Sequence, residues 1–393
     1  MSGKNNNFPD DRLKSSYGGS ESPRGEGKIS EDKEVYSPGK KVLRRFFRHR
    51  LGVVSTAVII FILLLIIFAG FVSPYNMATR REDLTHVSPT RIRLFHEGEF
   101  QGRPFVYGLE RERDPVTLRI NYTENKDEMY PIKLFTRGES YKFLGLFETD
   151  LHLFGLGPEA DGHLFLFGTD RLGRCFFSRT LYGGRTSVSI AFLGVMFSFF
   201  IGIFMGGISG YYGGAVDNVI QRMIEVIRSF PRVPLWLALS VIVPARWPAI
   251  MHYIGLIFIL TIISWTGVAR VVRGQIFSIK EKEFVEAARA VGAKDMRVIF
   301  RHILPNCMSY VIVAATLSFP GLILAESAIS FLGLGIQEPM ASWGLLLEQA
   351  QRISVIRSQP WLLIPGAFII VTVLAFNFFG DAFRDAIDPY AMD

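Results

Sequence analysis

The chain has 393 residues, of which 49% are hydrophobic and 34 are phenylalanine, and its formal net charge is +7. Its apolar residues are concentrated in several stretches with few or no charges. These stretches match the roughly 20 residues that a helix needs to cross a bilayer. A soluble globular class is therefore excluded, and the sequence predicts an all-α polytopic membrane protein. No basic stripe interleaved with aromatic residues indicates nucleic-acid binding, so we expect no nucleic-acid partner.

The N-terminal part divides into two segments. Residues 1–39 are rich in Ser, Gly, Asn, Pro and charged residues, a composition that predicts a disordered tail. Residues 40–72 contain the first apolar stretch, Leu51 to Val72, which is uncharged throughout. Because this stretch is long and no small-residue cleavage site follows, we interpret it as an uncleaved transmembrane anchor rather than a signal peptide.

Residues 73–167 form a long polar segment that could hold a small domain. Short runs with alternating apolar residues occur at Thr117–Tyr122, at Ile132–Phe135 and at Tyr141–Leu144. A turn signal, Arg137-Gly138-Glu139, separates the last two. The pattern predicts a β-hairpin within a small β-rich insertion.

Residues 168–393 contain the remaining five predicted spans, which gives six in total. Their apolar stretches are 186–216, 218–245, 247–269, 307–325 and 358–380. The stretch 218–245 is the weakest, because Arg222, Glu225 and Arg228 interrupt it. We expect its first half either to emerge on one side of the membrane or to pack where these charges pair. Arg222 and Glu225 are therefore candidates for a pathway or a structural role, since intramembrane charges normally face the bundle interior.

Basic residues near the ends of spans predict the orientation. Segment 270–302 carries eight Lys and Arg residues against four acidic ones, whereas segment 73–184 has 15 basic and 16 acidic residues. The basic segments belong on the cytoplasmic side. With six crossings, both termini and segment 270–302 are then expected to be cytoplasmic, and segment 73–167 extracytoplasmic.

The sequence lacks the common motifs of nucleotide-binding, metalloprotease and serine hydrolase sites. The sequence contains no phosphate-binding G-x-x-x-x-G-K-[ST], no H-E-x-x-H and no G-x-S-x-G. Its seven histidines have no metal-ligand spacing, and the two cysteines, Cys175 and Cys307, do not indicate a disulfide framework. We therefore expect no enzyme activity, no metal and no cofactor bound by this chain.

Residues 281–305 are a charged, helix-forming segment between two predicted spans. Lys280–Ala290 predicts one helix that ends at Gly292. Lys294–Ile303 predicts a second helix with Met296, Phe300 and Ile303 on one face, which Leu304-Pro305 then stops.

Three alanines, Ala287, Ala288 and Ala290, form a small-residue patch at the tip of this loop. Small side chains would let the groove of a partner protein approach the backbone closely. The alternative is an amphipathic helix that lies on the membrane surface. The pattern by itself leaves both interpretations open.

The sequence of this loop resembles that of a known family. Glu286-Ala287-Ala288, then Gly292, then His302-Ile303-Leu304-Pro305 is similar to the EAA loop of ABC importer permeases. The "C"-type permeases of dipeptide, oligopeptide and nickel importers are similar over further motifs as well. These motifs are Phe167-Gly168-Thr169-Asp170 with Gly173-Arg174, Gly210-Tyr211-Tyr212-Gly213-Gly214, Phe331-Leu332-Gly333-Leu334-Gly335, and Gly380-Asp381 with Arg384-Asp385 and Asp388-Pro389.

The resemblance implies a type I ABC importer transmembrane domain with six helices in a bacterial inner membrane, here with a small β-rich extracytoplasmic insertion. It also implies a second homologous permease subunit, two ATP-binding subunits that hold ATP and Mg²⁺, and an extracytoplasmic substrate-binding protein. The EAA loop would couple this chain to an ATPase through Glu286, Ala287, Ala288, Gly292, His302, Leu304 and Pro305.

The substrate branch is less defined than the family. His302 stands where the general motif has an apolar residue, and it indicates the peptide-transporting branch. The chain departs from that branch in its long insertion and in Cys175, where the common pattern has aspartate. Oligosaccharides and metal chelates stay open as substrates. An ATP-independent secondary transporter and a structural anchor for an enzyme complex are the alternatives from other classes.

Glu326 is the ionisable residue inside a span that matters most. It could line the pathway or act as a gate, since intramembrane carboxylates usually mark function. It could instead be a structural carboxylate that accepts hydrogen bonds from Ser327, Ser330 or a neighbouring helix. At the C-terminal end, the spacing of Asp381, Arg384, Asp385 and Asp388 would allow ion pairs.

Overall fold

The computed structural model describes residues 38–113, 115, 120–244 and 246–387. The expected disordered tail, apart from its last two residues, lies outside these ranges. So do residues 117–119 of the first expected strand and Asp388 of the C-terminal charge cluster.

The described residues form helices α1 to α13 and strands β1 to β5. The N-terminal helices are α1 Pro38–Arg48, α2 Arg50–Ile67 and α3 Ala69–Val72. The strands are β1 Arg93–His96, β2 Glu99–Arg113, β3 Ile120–Pro131, β4 Lys133–Phe143 and β5 Phe147–Gly155. The remaining helices are α4 Phe176–Tyr212, α5 Gly214–Ser229, α6 Arg232–Val241, α7 Ala249–Ile279, α8 Glu283–Ala290, α9 Asp295–Arg297, α10 Leu304–Phe331, α11 Trp343–Glu348, α12 Ile353–Ser358 and α13 Ile364–Ile387. A π-helical segment, Val298–Ile303, joins α9 to α10, and a 3₁₀ turn, Pro360–Leu363, precedes α13.

Five helices in the described part of the chain are long and apolar enough to cross a membrane. They are α2, α4, α7, the continuous helix Asp295–Phe331 and the continuous helix Pro360–Ile387. Each covers one of the apolar stretches in the sequence, and α4 runs for 37 residues because no proline or charge cluster interrupts it. The all-α polytopic class is confirmed.

The sixth predicted span is two helices rather than one. α5 carries the charges and α6 is apolar, and the break between them falls at Phe230 and Pro231. Phe230 has extended backbone angles because the ring of the following proline disfavours the helical region at the residue before it. The side chains of Arg222 and Glu225 pair at 2.9 Å on an exposed face of α5. Arg228 joins no ion pair with another described residue, so the expected mutual neutralisation holds for two of the three charges.

Small residues bring α4 and α7 together. Gly202, Gly206 and Gly210 recur every four residues along α4 and face α7. A Cβ at Gly206 would lie 2.4 Å from the Ala269 carbonyl oxygen, so a side chain there would push the helices apart. Spacing of this kind lets the backbones of transmembrane helices approach closely. The two helices therefore form the rigid centre of the bundle.

Trp343 fills the middle of the largest apolar cluster. The ring is fully buried and its Nε1 donates to the Thr180 carbonyl oxygen at 3.0 Å. Leu260 of α7 and Ile323 of α10 belong to the same cluster. A buried indole needs a partner for its N–H, and the backbone of α4 provides it. This contact fixes the short helix α11 against the bundle.

The insertion contains two antiparallel sheets, which confirms its small β-rich character. One has the order β1-β2-β3 and the other is the hairpin β4-β5. The expected turn at Arg137-Gly138-Glu139 is wrong, since these residues lie inside β4 at an irregularity of the register. The chain reverses at Leu144 and Gly145, which both have positive φ. Glycine adopts this conformation readily, and the actual turn therefore forms seven residues later than expected.

Buried charges connect the insertion to the start of α4. The carboxylate of Asp170 accepts hydrogen bonds from Arg174 Nε and from an Arg179 terminal nitrogen, each at 2.8 Å. The guanidinium of Arg174 also makes two 2.8 Å hydrogen bonds with Glu338. Asp170 and Arg179 are almost completely buried. Buried charges are tolerated only when they are paired, so this network locks the Phe167–Arg174 motif onto the loop after α10.

A neutral histidine contributes to the same junction. Burial and then the positive charge of Arg81 lower the pKa of His163. Its Nδ1 lies 2.7 Å from a terminal nitrogen of Arg81, which has no acceptor capacity. The imidazole must therefore accept this hydrogen bond in its neutral form.

Candidate functional site

The charged loop 281–305 projects from the ends of α4 and α7, on the side of the bundle that also carries Tyr211 and Ile276. Its first arm is α8 and its second arm is α9 with the π-helical segment. These arms form the projection that the sequence predicts. The first arm begins at Glu283 rather than Lys280 and ends at Ala290 as expected. The second arm begins at Asp295 rather than Lys294.

Local sequence sets both ends of α8. Glu283 and Glu286 lie in its first turn, where carboxylates stabilise the positive end of the helix dipole. Gly292 follows the helix with φ of +83°. The Gly292 N–H donates to the Arg289 carbonyl oxygen and the Ala293 N–H donates to that of Ala288. This pair of hydrogen bonds is the Schellman motif, and its left-handed position favours glycine.

The second arm does not stop at Leu304-Pro305. It continues as one helix from Asp295 to Phe331. Pro305 follows the π-helical segment directly, where the helical hydrogen-bond pattern changes and a residue without a backbone N–H is accommodated. The π-helical segment also shifts the helical phase. As a result Met296 and Phe300 are exposed while Ile303 is buried, so the expected common face is wrong.

The inward side of the loop packs against the membrane helices. Val285 of α8 and Ile299 and Ile303 of the second arm are buried. They share one apolar cluster with Val272 and Ile276 of α7 and with Tyr211 of α4. The loop is therefore a fixed part of the bundle rather than a flexible connection.

Tyr211 anchors both arms of the loop. Its hydroxyl donates to Asp295 Oδ1 at 2.8 Å and accepts from Arg289 Nε at 3.3 Å. The Arg289 guanidinium also lies 4.9 Å from the centre of the tyrosine ring, a distance that allows cation–π attraction. One side chain at the end of α4 thus holds α8 and α9 together.

A second polar contact lies beside this anchor. The carboxylate of Asp217 accepts two hydrogen bonds from Arg273, at 2.6 and 2.5 Å, and one from Ser209 Oγ at 2.5 Å. A bidentate pair of this kind fixes the geometry as well as the charge. It ties α5 to α7 one helical turn from Ile276, which packs against the loop.

The predicted site residues divide between the two sides of the loop. Glu286, Ala287, Gly292 and Pro305 are exposed, whereas Ala288, His302 and Leu304 are partly buried. Four apolar side chains are exposed on the same projection, namely Phe284, Val291, Met296 and Phe300. The outward side therefore offers small, apolar and acidic groups to the surroundings.

Sequence reasoning missed the anchoring residues of the site. Tyr211 lies within the Gly210–Gly214 motif, and the sequence pattern assigns no role to Asp217, Arg273 or Asp295. One signal in the sequence is Asp217, which follows the glycine-rich end of α4, together with the arginines of α7. Which arginine it pairs with depends on how α5 and α7 cross.

Glu326 lies in a cage of serines. The side chain is fully buried, and Oε1 accepts a hydrogen bond from Ser330 Oγ at 2.8 Å. Ser327 Oγ lies 3.4 Å from Oε2, and Ser187 and Ser342 lie next to the same carboxylate. The hydroxyls of these last two serines also accept backbone N–H groups of Trp343 and Leu345. The arrangement connects α10 with α4 and α11, and it favours the structural role over the pathway role.

Glu326→Gln tests the role of this carboxylate. We expect a lower thermal denaturation midpoint, because the amide nitrogen faces a hydroxyl that donates, and one mismatched buried hydrogen bond costs about 1–3 kcal/mol. Transport per folded molecule should be unchanged. Glu159→Gln, at an exposed position of the insertion, is the control for the loss of charge. An unchanged midpoint with lost transport would instead support a pathway role.

The other candidate residues from the sequence do not come together in a site within the described ranges. Asp381, Arg384 and Asp385 make no ion pair with one another, and Asp388 lies outside the described residues. Within the ranges described, no group of three or more His, Cys, Asp or Glu residues could hold a metal ion. Cys175 and Cys307 are both free and buried, as expected from the absence of a disulfide framework.

Comparison with known proteins agrees with the resemblance. The family described as "Binding-protein-dependent transport system inner membrane component" matches residues 198–391. The family described as "N-terminal TM domain of oligopeptide transport permease C" matches residues 37–89. The segment between these two matches, residues 90–197, includes most of the insertion.

Individual relatives are similar over most of their own length. The oligopeptide transport system permease protein OppC of Haemophilus influenzae is 45% identical over 245 residues, which is 62% of this chain and 75% of the relative. The dipeptide transport system permease protein DppC of Bacillus subtilis is 42% identical over 236 residues, 60% of this chain and 70% of the relative. A solved inward-facing structure of the MetNI methionine ABC transporter matches with 21% identity and a TM-score of 0.42 over 53% of this chain and 96% of that one.

Three observations agree on one assignment. They are the bundle of apolar helices, the anchored loop and the sequence identity to the OppC and DppC permeases. The chain belongs to the family of binding-protein-dependent transport system inner membrane components, and it is a membrane-spanning permease of an ABC importer.

Proposed function

We propose that this chain forms half of a translocation path for di- or oligopeptides and that residues 281–305 couple the path to ATP hydrolysis. The partners would be a second permease, two ATP-binding subunits and an extracytoplasmic binding protein, with ATP and Mg²⁺ held by the ATP-binding subunits. Both termini and the loop would lie in the cytoplasm of a bacterial cell. The insertion would then face the outside, where the binding protein docks.

The observation that carries the coupling role is the anchoring of the loop by Tyr211. A segment that transmits movement must be rigid toward the bundle and accessible toward its partner. The Tyr211 contacts to Arg289 and Asp295 give the first property. The exposed Glu286, Ala287 and Phe284 give the second. The packed inward side also argues against a helix that merely lies on lipid, because Val285, Ile299 and Ile303 already contact protein.

In this mechanism, closure of the ATPase pair moves α8 as a rigid body. Because Tyr211 and the Asp217–Arg273 pair connect the loop to α4, α5 and α7, the displacement reaches the bundle directly. ATP binding would bias the bundle toward one of two arrangements, and hydrolysis would restore the other. The chain itself supplies no catalytic group.

Gly292→Val tests the coupling role. Valine is strained at a φ of +83°, by about 1–2 kcal/mol, and no neighbouring atom lies within 4 Å of the added Cβ. We expect a folded and membrane-inserted protein whose transport falls relative to ATP hydrolysis in proteoliposomes that contain the complete transporter. Gly274→Ala, in the interior of α7 with equally open space around it, is the control and should leave the ratio unchanged.

The same proteoliposomes distinguish the alternatives. Unlabelled peptides should reduce the uptake of a labelled peptide, whereas oligosaccharides and nickel chelates should not. This result would support a peptide substrate. Uptake driven by an ion gradient without ATP or the ATP-binding subunits would contradict the importer mechanism and support a secondary transporter. Normal coupling in Gly292→Val would reject the role of the loop without affecting the substrate assignment.

A further inference from the structure

The tip of the β4–β5 hairpin is unusually apolar for an exposed turn. The chain there reads Leu144-Gly145-Leu146-Phe147. The exposed fractions of Leu144, Leu146 and Phe147 are 48%, 80% and 57%. Exposed apolar side chains that cluster in this way mark an interaction surface rather than an ordinary turn.

The hairpin lies against the end of the first membrane span. The rings of Phe143 and Phe68 are 5.9 Å apart, and those of Phe135 and Phe71 are 6.3 Å apart. A groove of about 590 Å³ lies between the hairpin and α2. Its lining includes Phe143 and Phe147 from the hairpin, together with Phe61 and Leu64 from α2.

The length of α2 places this groove at the level of the bilayer. The 18 residues of the helix span about 27 Å at 1.5 Å per residue. This is close to the roughly 30 Å thickness of the hydrocarbon core, so the final turns of α2 must lie within or at the edge of that core. Phe61, Leu64 and Ile67 on these turns are exposed in the chain, so this side of α2 is apolar at the level of the hydrocarbon core. The hairpin tip continues the same apolar surface.

Charged groups mark the boundary beside the tip. Arg185 donates to the carbonyl oxygens of Ile66 and Ile67 at 2.8 and 2.7 Å, and its guanidinium lies 4.8 Å from the centre of the Tyr182 ring. Tyrosine and arginine at the end of a span are typical of the membrane interface. Leu144 lines a cavity together with Arg185 and Ile67. The turn is therefore at the level of the interface rather than far from it.

The remaining charges of the hairpin fit a shallow position. Lys142 and Glu148 are exposed and directly opposite each other, on the face away from Phe143 and Phe147. Lys142 is the last charged residue before the apolar turn, and Glu148 is the first after it. With the turn among the acyl chains, this pair would lie at the headgroups, where a long lysine side chain reaches polar surroundings.

We propose that Leu144, Leu146 and Phe147 insert into the interfacial region of the leaflet next to the insertion, so that the β4–β5 hairpin is a second, monotopic membrane contact. The occupant of this surface is lipid, because the tip extends the exposed apolar face of α2, a helix of membrane-spanning length. Amphipathic interfacial helices enter roughly 5–10 Å into the headgroup and acyl boundary, and we expect a similar depth for the hairpin tip. The proposal needs α2 to cross the membrane and does not depend on the substrate or on coupling.

The experiment places an environment-sensitive fluorophore on the tip. Leu146→Cys is labelled in the full-length chain, reconstituted in liposomes both alone and within the complete transporter. Leu144→Cys is a second tip position, and Glu159→Cys is the control at an exposed polar site of the same insertion. Wild type gives the background, because Cys175 and Cys307 are buried. The probes of the surroundings are lipids with brominated acyl chains and aqueous iodide.

We expect blue-shifted emission and quenching by brominated lipid at both tip positions, with iodide quenching only at position 159. Tip labels that iodide quenches as strongly as position 159 would overturn the proposal. Lipid quenching that is present in the isolated chain but lost in the complete transporter would also overturn it, since a partner subunit would then cover the tip.

Discussion

Asp170→Ala is expected to leave little folded protein. The carboxylate is the central acceptor for Arg174 and Arg179, and Arg179 is 1% exposed. Without Asp170, the nearest acidic oxygen to Arg179 is that of Glu338 at 3.4 Å. Removal of one partner from a buried ion pair costs about 3–5 kcal/mol. Two backbone N–H groups, those of Leu172 and Arg174, also lose their acceptor.

The measurement is the melting temperature and the monodisperse yield of the detergent-purified chain. The control is Glu124→Ala, which removes the partly exposed ion pair with Arg93 at 2.7 Å. Exposed pairs contribute about 0–1 kcal/mol, so this variant should behave like the wild type. A wild-type melting temperature for Asp170→Ala would show that the network does not hold the junction together.

Tyr211→Phe is expected to uncouple the transporter while it stays folded. The ring still packs against Val272 and Ile299, but Asp295 and Arg289 lose their shared hydroxyl. A hydrogen bond to a charged group contributes about 1.5–3 kcal/mol. Loss of one such bond shifts the equilibrium between anchored and released loop by roughly ten-fold or more. Transport per ATP hydrolysed should fall by about the same factor.

Tyr310→Phe is the matched control. This tyrosine of α10 is about half exposed, and its hydroxyl has no hydrogen-bond partner among the described residues. Its removal should change neither transport nor ATPase activity. If Tyr211→Phe kept the wild-type ratio of transport to hydrolysis, the anchor would be dispensable and coupling would depend on the apolar packing of Val285 and Ile299 instead.

The membrane helices were predictable because their signal is local. An uncharged stretch of sufficient length has few alternatives to a transmembrane helix, since every backbone polar group must find its partner within the segment. The end of α8 and the turn at Gly292 followed from an equally local rule, the preference of glycine for the left-handed position after a helix. The prediction of β-strands in the insertion was also correct, although the hairpin turn lies at Leu144 and Gly145 rather than at Arg137–Glu139.

Errors arose where local rules compete. The Arg137–Glu139 segment has the composition of a turn, yet it is absorbed as an irregularity within β4. Pro305 is a helix breaker in sequence terms, but it follows the π-helical segment directly and the helix continues past it. The phase of the second loop arm depended on a π-helical segment, and no residue preference signals such a segment.

The sequence by itself determined the class of protein, the position of the charged loop and the family resemblance, because these depend on composition, local helix signals and motif spacing. The tertiary structure decided which charges meet. It paired Asp170 with Arg179, Asp217 with Arg273 and Tyr211 with Asp295, and it brought four serines to Glu326. These partners are separated by up to 139 residues, as in the case of Ser187 and Glu326. Only the crossing of packed helices determines which of the available side chains come within hydrogen-bonding distance.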